Sequence, residues 1–247
     1  MTGKELPPGS PFAGDDGRAD PALLDALDKA THSDVSVEEV VAALGKARVL
    51  VPILAQLDQD DYTQDGHRYD KEASAGVVAL ESPDGRRALP VFTSVDAMAT
   101  WRTDARPVPV DARRAALSAV SEDWALLVVD PGSPHQCQIP RTAVWALAQG
   151  NPWRPAVVGG VVTADIDNEI QRLVAPIDHV LAARALPGRS AEVAVSLVID
   201  QALAQAGLRY VLGQVHQALG QSDIIAARVD SLELRVSAGH TREGAGH

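Results

Sequence analysis

Two short stretches of this 247-residue chain hold side chains whose types and spacing could do chemistry. In the loop 130–138 (DPGSPHQCQ), which runs from Asp130 to Gln138, His135 and Cys137 stand two apart. An extended segment would put both on one face and let the imidazole draw the proton from the thiol. The same pair could give two ligands to zinc. A structural zinc site takes four, however, and no second Cys/His pair exists in a sequence with a single cysteine. The second stretch, Asp58-Gln59-Asp60-Asp61-Tyr62-Thr63, begins like a calcium loop, whose sixth position needs glycine and whose twelfth needs a bidentate glutamate. Here those positions are Thr63 and Tyr69. Asp165-Ile166-Asp167-Asn168-Glu169 fails in the same way and reads as the acidic start of a helix.

Other chemistries have less to stand on. The sequence contains no G-x-S-x-G, and Ser133 sits between Gly132 and Pro134, where a turn needs a small residue. Gly45-Lys46 follows a helical pattern rather than a phosphate-binding loop, and Gly159-Gly160 lacks a third glycine at dinucleotide spacing. Catalytic residues are therefore left unassigned, and neither a cofactor nor a metal is expected. The loop 130–138 and the acidic residues from Asp58 to Asp65 remain candidate binding surfaces.

The elements that must position these loops follow from periodicity and turn chemistry. Residues 1–20, rich in Pro, Gly and Asp, read as a disordered arm. Helices are expected over 21–30, opened by Asp20 and Pro21, and after Ser36, followed by a short aliphatic strand over 48–54 whose far half Pro52 should disturb. Pro83-Asp84-Gly85 marks a hairpin between strands 75–81 and 87–92, and Thr93 is placed to cap the helix 95–101. A strand over 107–110 and a helix over 111–121 precede the continuous apolar run 124–129, which predicts a strand covered on both faces. A helix over 140–149 then leads into Asn151-Pro152-Trp153-Arg154-Pro155, read as the start of a linker over 151–163. Beyond it, the order helix, strand, strand, helix, strand over 164–236 resembles part of a ferredoxin-like fold, with a polar tail over 237–247. The fold class expected is α/β (α+β): a mixed-sheet domain over 21–150 and a small α+β domain after it. Trp101, Trp124 and Trp145 are expected in the core, and Trp153 at the boundary between domains.

Residues 76–101, GVVALESPDGRRALPVFTSVDAMATW, and the later LLVVDPGSP at 126–134 resemble the N-terminal domain of the SseB family. In that family a hairpin leads into a Phe-Thr-Ser turn and a buried strand ends in Asn/Asp-Pro-Gly. The resemblance extends at motif level over about 40–150, and IIAARVDSLELRV at 224–236 resembles the end of the bacterial members. Aspartate at 130 stands where many relatives would be expected to carry asparagine. The family takes its name from enhanced serine sensitivity, which implies a link to amino-acid metabolism without naming a reaction.

Charge and composition exclude some functions. The formal net charge is −11, and the chain has 33 acidic against 22 basic residues, so direct nucleic-acid binding, which rests on Lys and Arg contacts to phosphate, is not expected. No apolar run approaches a membrane span, no export segment is indicated, and a single cysteine forms no internal disulfide, so the expected address is the cytoplasm. The reading that results is a noncatalytic binding or regulatory protein with a protein partner. The alternatives are a small-molecule-binding domain or weak enzyme using the loop 130–138, and a structural module forming a homodimer through its C-terminal helix and edge strand.

Overall fold

Asp20 starts the first helix: its carboxylate accepts from the N–H groups of Ala22 and Leu23 at 2.9 and 3.0 Å, two donors that a helix leaves unpaired at its N-terminus. The computed structural model describes residues 12, 14–32, 37–54, 69–70, 78–82 and 85–240, with 69–70 described by backbone alone. The acidic loop with Asp58, Asp60, Asp61 and Asp65, the expected cap Ser36, Pro83-Asp84 and the end of the tail lie outside the described residues. Tertiary contacts divide the chain into two units, 1–153 and 154–247.

In the first unit α1 (Pro21–His32) buries Leu23, Ala26 and Leu27, and α2 (Val37–Leu44) buries Val40, Val41 and Leu44. β1 (Arg48–Ile53) pairs antiparallel with β5 (Arg106–Asp111) along its whole length, with Pro52 opposite Pro107. Pro52 therefore does not disturb the far half of β1. A two-stranded ribbon leaves one side of each strand free of a ladder, where a missing N–H costs little.

The main sheet has five strands in the order β2 (Tyr69–Asp70), β3 (Ala79–Glu81), β4 (Arg87–Val91), β6 (Leu126–Val129), β7 (Cys137–Ile139). β4 and β6 run parallel, while β2–β3, β3–β4 and β6–β7 are antiparallel. The parallel pair requires a crossover, which is made by α3 (Val95–Trp101), β5 and α4 (Ala112–Ser121). α4 packs on α5 (Arg141–Gln149), and Ala112, Ala115, Ala116, Ala143 and Leu147 join the core beneath them. Alanine spacing on α4 lets the helix lie close to the sheet.

One tryptophan departs from expectation. Trp145 is 46 % exposed, because α5 turns Thr142, Ala143, Val144 and Leu147 inward and Trp145 falls on the opposite face. Trp153, expected at the boundary between domains, is the last residue of the first unit and is buried in its core. Its indole N–H donates to Thr142 Oγ1 at 3.0 Å. Residues 15–18 are also more firmly attached than an arm would be. Arg48 donates to both carboxylate oxygens of Asp15, at 2.5 and 2.6 Å, and to the Arg18 carbonyl at 2.9 Å, and Val95 N–H donates to the Gly17 carbonyl.

In the second unit the stretch read as a linker contains a hairpin, β8 (Val157–Val158) with β9 (Val161–Val162). Gly159 and Gly160 both adopt positive φ, 56° and 72°, as the tight two-residue turn requires. α6 (Ala164–Val174) is followed by the hairpin of β10 (Val180–Pro187) and β11 (Val193–Asp200), then α7 (Gln205–Gly220), α8 (Asp223–Arg228) and β12 (Leu232–Gly239). β10–β11 is antiparallel and β11–β12 parallel, so the fold is α+β with mixed sheets in both units, as expected. α8 adds a helix to the expected order. Its cap, Ser222, accepts from Ile225 N–H at 3.3 Å. Ile166 and Ile170 from α6 and Val211, Val215 and Leu219 from α7 cover one face of the sheet, against Val193, Val195, Leu197 and Ile199.

Candidate functional site

The carboxyl ends of the parallel strands β4 and β6 bring the two halves of the motif together, because Asp130 N–H donates to the Val91 carbonyl at 2.9 Å. Asp130 is 2 % exposed and Thr93 2 %. Thr93 donates twice to Asp130, its N–H to Oδ1 at 2.8 Å and its hydroxyl to Oδ2 at 2.7 Å. Thr93 is therefore not the cap of α3. That position belongs to Ser94, whose Oγ accepts from Ala97 N–H at 3.1 Å. On its other side the Thr93 carbonyl accepts from Arg48 at 2.9 Å, so one threonine joins the two strand ends to β1. Burial pushes the Asp130 carboxyl above the ordinary aspartate value, and the two Thr93 hydrogen bonds and His135 pull the other way without cancelling it. The Arg48 guanidinium holds the Asp15 carboxyl below the usual range.

The loop 130–138 is held by its own polar groups. Ser133 N–H donates to the Asp130 carbonyl at 3.1 Å and closes a turn through Pro131 and Gly132, and Gly132 has φ 77°. That is the arrangement for which proline and glycine are suited in sequence. Gly132 N–H donates to Gln136 Oε1 at 2.7 Å, and His135 N–H to Ser133 Oγ at 3.1 Å. The imidazole turns away from the thiol: His135 Nδ1 lies 3.1 Å from Asp28 Oδ1 of α1, without hydrogen-bond geometry. Cys137 sits in β7 opposite Val129, and burial pushes its thiol up to about 11, which leaves it protonated at neutral pH. The sequence pairing of His135 with Cys137 is thus not realised as a nucleophile and base. Gly132→Val should destabilise the protein by about 1–2 kcal/mol, since a β-branched residue resists the left-handed region. Thermal melting checks this, and an unchanged midpoint would show that the turn relaxes freely.

A cleft of about 500 Å³ opens in the second unit between α6 and α8. Four of its five charged lining residues pair with one another, Asp223 being the fifth. Arg172 grips both oxygens of Glu169 at 2.8 Å, Ser222 donates to Glu169 at 2.7 Å, and Arg228 donates to Asp165 at 2.7 Å. Among the described residues no cluster of three or more His, Cys, Asp or Glu is placed to hold a metal ion. No described helix is long and apolar enough to cross a membrane.

The most exposed aromatic of the first unit that sequence reasoning placed in the core, Trp145, belongs to a second feature. The Arg113 guanidinium, near the start of α4, lies against Gly150 at the end of α5, so the two helices run antiparallel. Leu117, 56 % exposed, and Trp145 are on helices that pack against each other. Arg113 and Arg114 are exposed on the same face of α4 as Leu117. The signal was present in sequence, since neither α4 nor α5 contains an Asp or Glu in a chain with 33 of them.

No curated protein and no solved structure matches the chain. The family model for the SseB protein N-terminal domain matches residues 22–146, a span that begins in α1, ends in α5 and encloses the Thr93–Asp130 junction. That match takes in half of the sequence, and the chain belongs to the SseB family.

Proposed function

We propose that the chain is a noncatalytic binding or regulatory protein, cytoplasmic in its setting, whose first unit presents the α4–α5 face to an acidic segment of a partner protein. The observation that carries this reading is an exposed Trp145 on α5 and an exposed Leu117, with Arg113 and Arg114, on the α4 packed against it, two helices without an acidic residue. Tryptophan and arginine are the side chains most enriched at the centres of protein interfaces. A local basic, apolar face on a chain of net charge −11 favours a partner of opposite charge at that face, while the field of the whole molecule repels a nucleic acid. The loop 130–138 offers less to a ligand. Both oxygens of Asp130 are engaged by Thr93, and the Cys137 thiol is held protonated.

The test is crosslinking and capture from the native cell with three full-length baits: the wild-type chain, Trp145→Ala with Leu117→Ser, and Cys137→Ser. The expected result is a protein captured by the wild type and by Cys137→Ser, lost with the helix-face variant, and insensitive to nuclease. Both helix-face residues are exposed, so the variant should melt close to the wild type. Capture that survives the double substitution, or that nuclease abolishes, would overturn the reading.

A further inference from the structure

The three-stranded sheet of the second unit has two edges, and they are treated differently. β10 carries an irregularity between Val180 and Ala182, ends in Pro187 and lies beside β9. Bulges, prolines and covering segments are the devices by which edge strands avoid pairing with another chain. Among the described residues β12 has none of them. It runs in unbroken register with β11 from Leu232 to Gly239, and among the described residues no strand pairs with its other side.

The direction of its free hydrogen-bonding groups follows from the parallel ladder. The carbonyls of Ser231 and Gly239 accept from Val193 and Gln201, on the β11 side. Peptide groups alternate along a strand, so those of Leu232, Leu234, Val236 and Ala238 point outward. The side chains of Leu232 and Leu234 pack with the core cluster, and Val236, in line with them, is 44 % exposed. Glu233 and Arg235 lie on the opposite face of the strand, where Arg235 donates to Glu233.

We infer that a second copy of this chain pairs with β12 antiparallel, about a two-fold axis at Leu234, joining two three-stranded sheets into one. In that register Leu234 exchanges both backbone hydrogen bonds with its own equivalent, and Leu232 stands opposite Val236. Glu233 of each copy then stands opposite Arg235 of the other. Moving the axis by one residue would set Arg235 against Arg235 or Glu233 against Glu233, and like charges directly opposed are destabilising. Moving it by two removes the cross-copy ion pair. Registers centred on neighbouring residues also use the outward peptide groups, and among them this one alone sets Glu233 opposite Arg235. Within its own chain the Glu233 carboxylate is oriented by the Ser190 hydroxyl, the N–H groups of Arg189 and Ser190, and Arg235, which together bring it down to about 2.

The experiment uses the full chain. Light scattering across a concentration series should show a mass rising from 26.0 kDa toward twice that value. Arg235→Glu should weaken self-association by tenfold or more, on the order of the cost of like charges across an interface, while Arg235→Lys should retain it. In a Cys137→Ser background, Leu234→Cys should form a disulfide-linked dimer on mild oxidation. Directly opposed residues of a hydrogen-bonded antiparallel pair have Cα atoms about 5.5 Å apart, inside the disulfide range. Val236→Cys should stay unlinked, because it would be roughly 13 Å from its equivalent, four residues along a strand. A mass of 26.0 kDa at every concentration, or linking at 236 as readily as at 234, overturns the proposal. Should Arg235→Glu fail to fold, the two cysteine variants still decide it.

Discussion

Trp124→Ala lowers the stability of the protein by about 3–5 kcal/mol, the usual cost of emptying a large aromatic site in a core. Trp124 is 4 % exposed and belongs to the cluster that includes Ala119, Leu127, Val129 and Ile139. It enters β6 directly from the end of α4, with its N–H donating to the Ala119 carbonyl at 2.8 Å. The preceding Asp123 takes φ 58° to turn the chain from helix into strand. Collapse around the vacancy is limited because the indole is held between a helix and a strand that are both fixed by other contacts. Denaturant unfolding followed by circular dichroism measures the effect. The matching substitution at Trp145, an exposed position, should change stability by less than about 0.5 kcal/mol. Equal effects at the two sites would mean that the faces of α5 and the packing at β6 are not as described.

Asp130→Ala destabilises the protein by about 1–3 kcal/mol, since it leaves the buried N–H and hydroxyl of Thr93 without an acceptor. Asp130→Asn has the opposite sign at neutral pH. An amide oxygen can accept from the Thr93 N–H while the amide nitrogen donates to the Thr93 hydroxyl, so both contacts persist and the buried charge disappears. Asparagine also tolerates the positive φ of 45° at this position. The pH dependence follows from the direction of the shift. Burial raises the folded carboxyl above its ordinary 3.8, so the contribution of Asp130 is full below that value and is lost as pH rises through the folded pKa. Asp15, Asp165 and Glu233, all lowered, contribute in the other sense and lose their effect as pH falls. The wild type minus the Asn variant isolates Asp130. That difference should grow more unfavourable from about pH 4 upward and then level off. A flat difference, or a wild type more stable than the Asn variant at pH 7, would show that the carboxylate charge is compensated.

What the sequence alone determined about this protein is what a few neighbouring residues decide. Asp20 before Pro21 starts a helix, the aliphatic run at 126–129 makes a strand covered on both faces, and Pro131-Gly132 makes a turn with positive φ, each within the reach of one or two turns of chain. The family was legible for the same reason, because its motifs are contiguous. Gly159-Gly160 is equally local, yet Pro152 and Pro155 just before it mark a linker in sequence, where the structure forms a hairpin. Thr93 had two local options, capping α3 or leaving that role to Ser94. A partner 37 residues away, Asp130, decided between them. Trp145 is exposed rather than buried because burial depends on which face of α5 meets α4 and the sheet, and hydrophobicity does not report that. The separation of His135 from Cys137 has the same origin: spacing places two side chains near each other only if the loop stays extended, and its turns close on Ser133, Gln136 and α1 instead. The alternation of SLELRV over 231–236 marks an edge or half-buried strand, and the tertiary structure decides which, since whether a strand is central or terminal is a property of the other strands that pair with it.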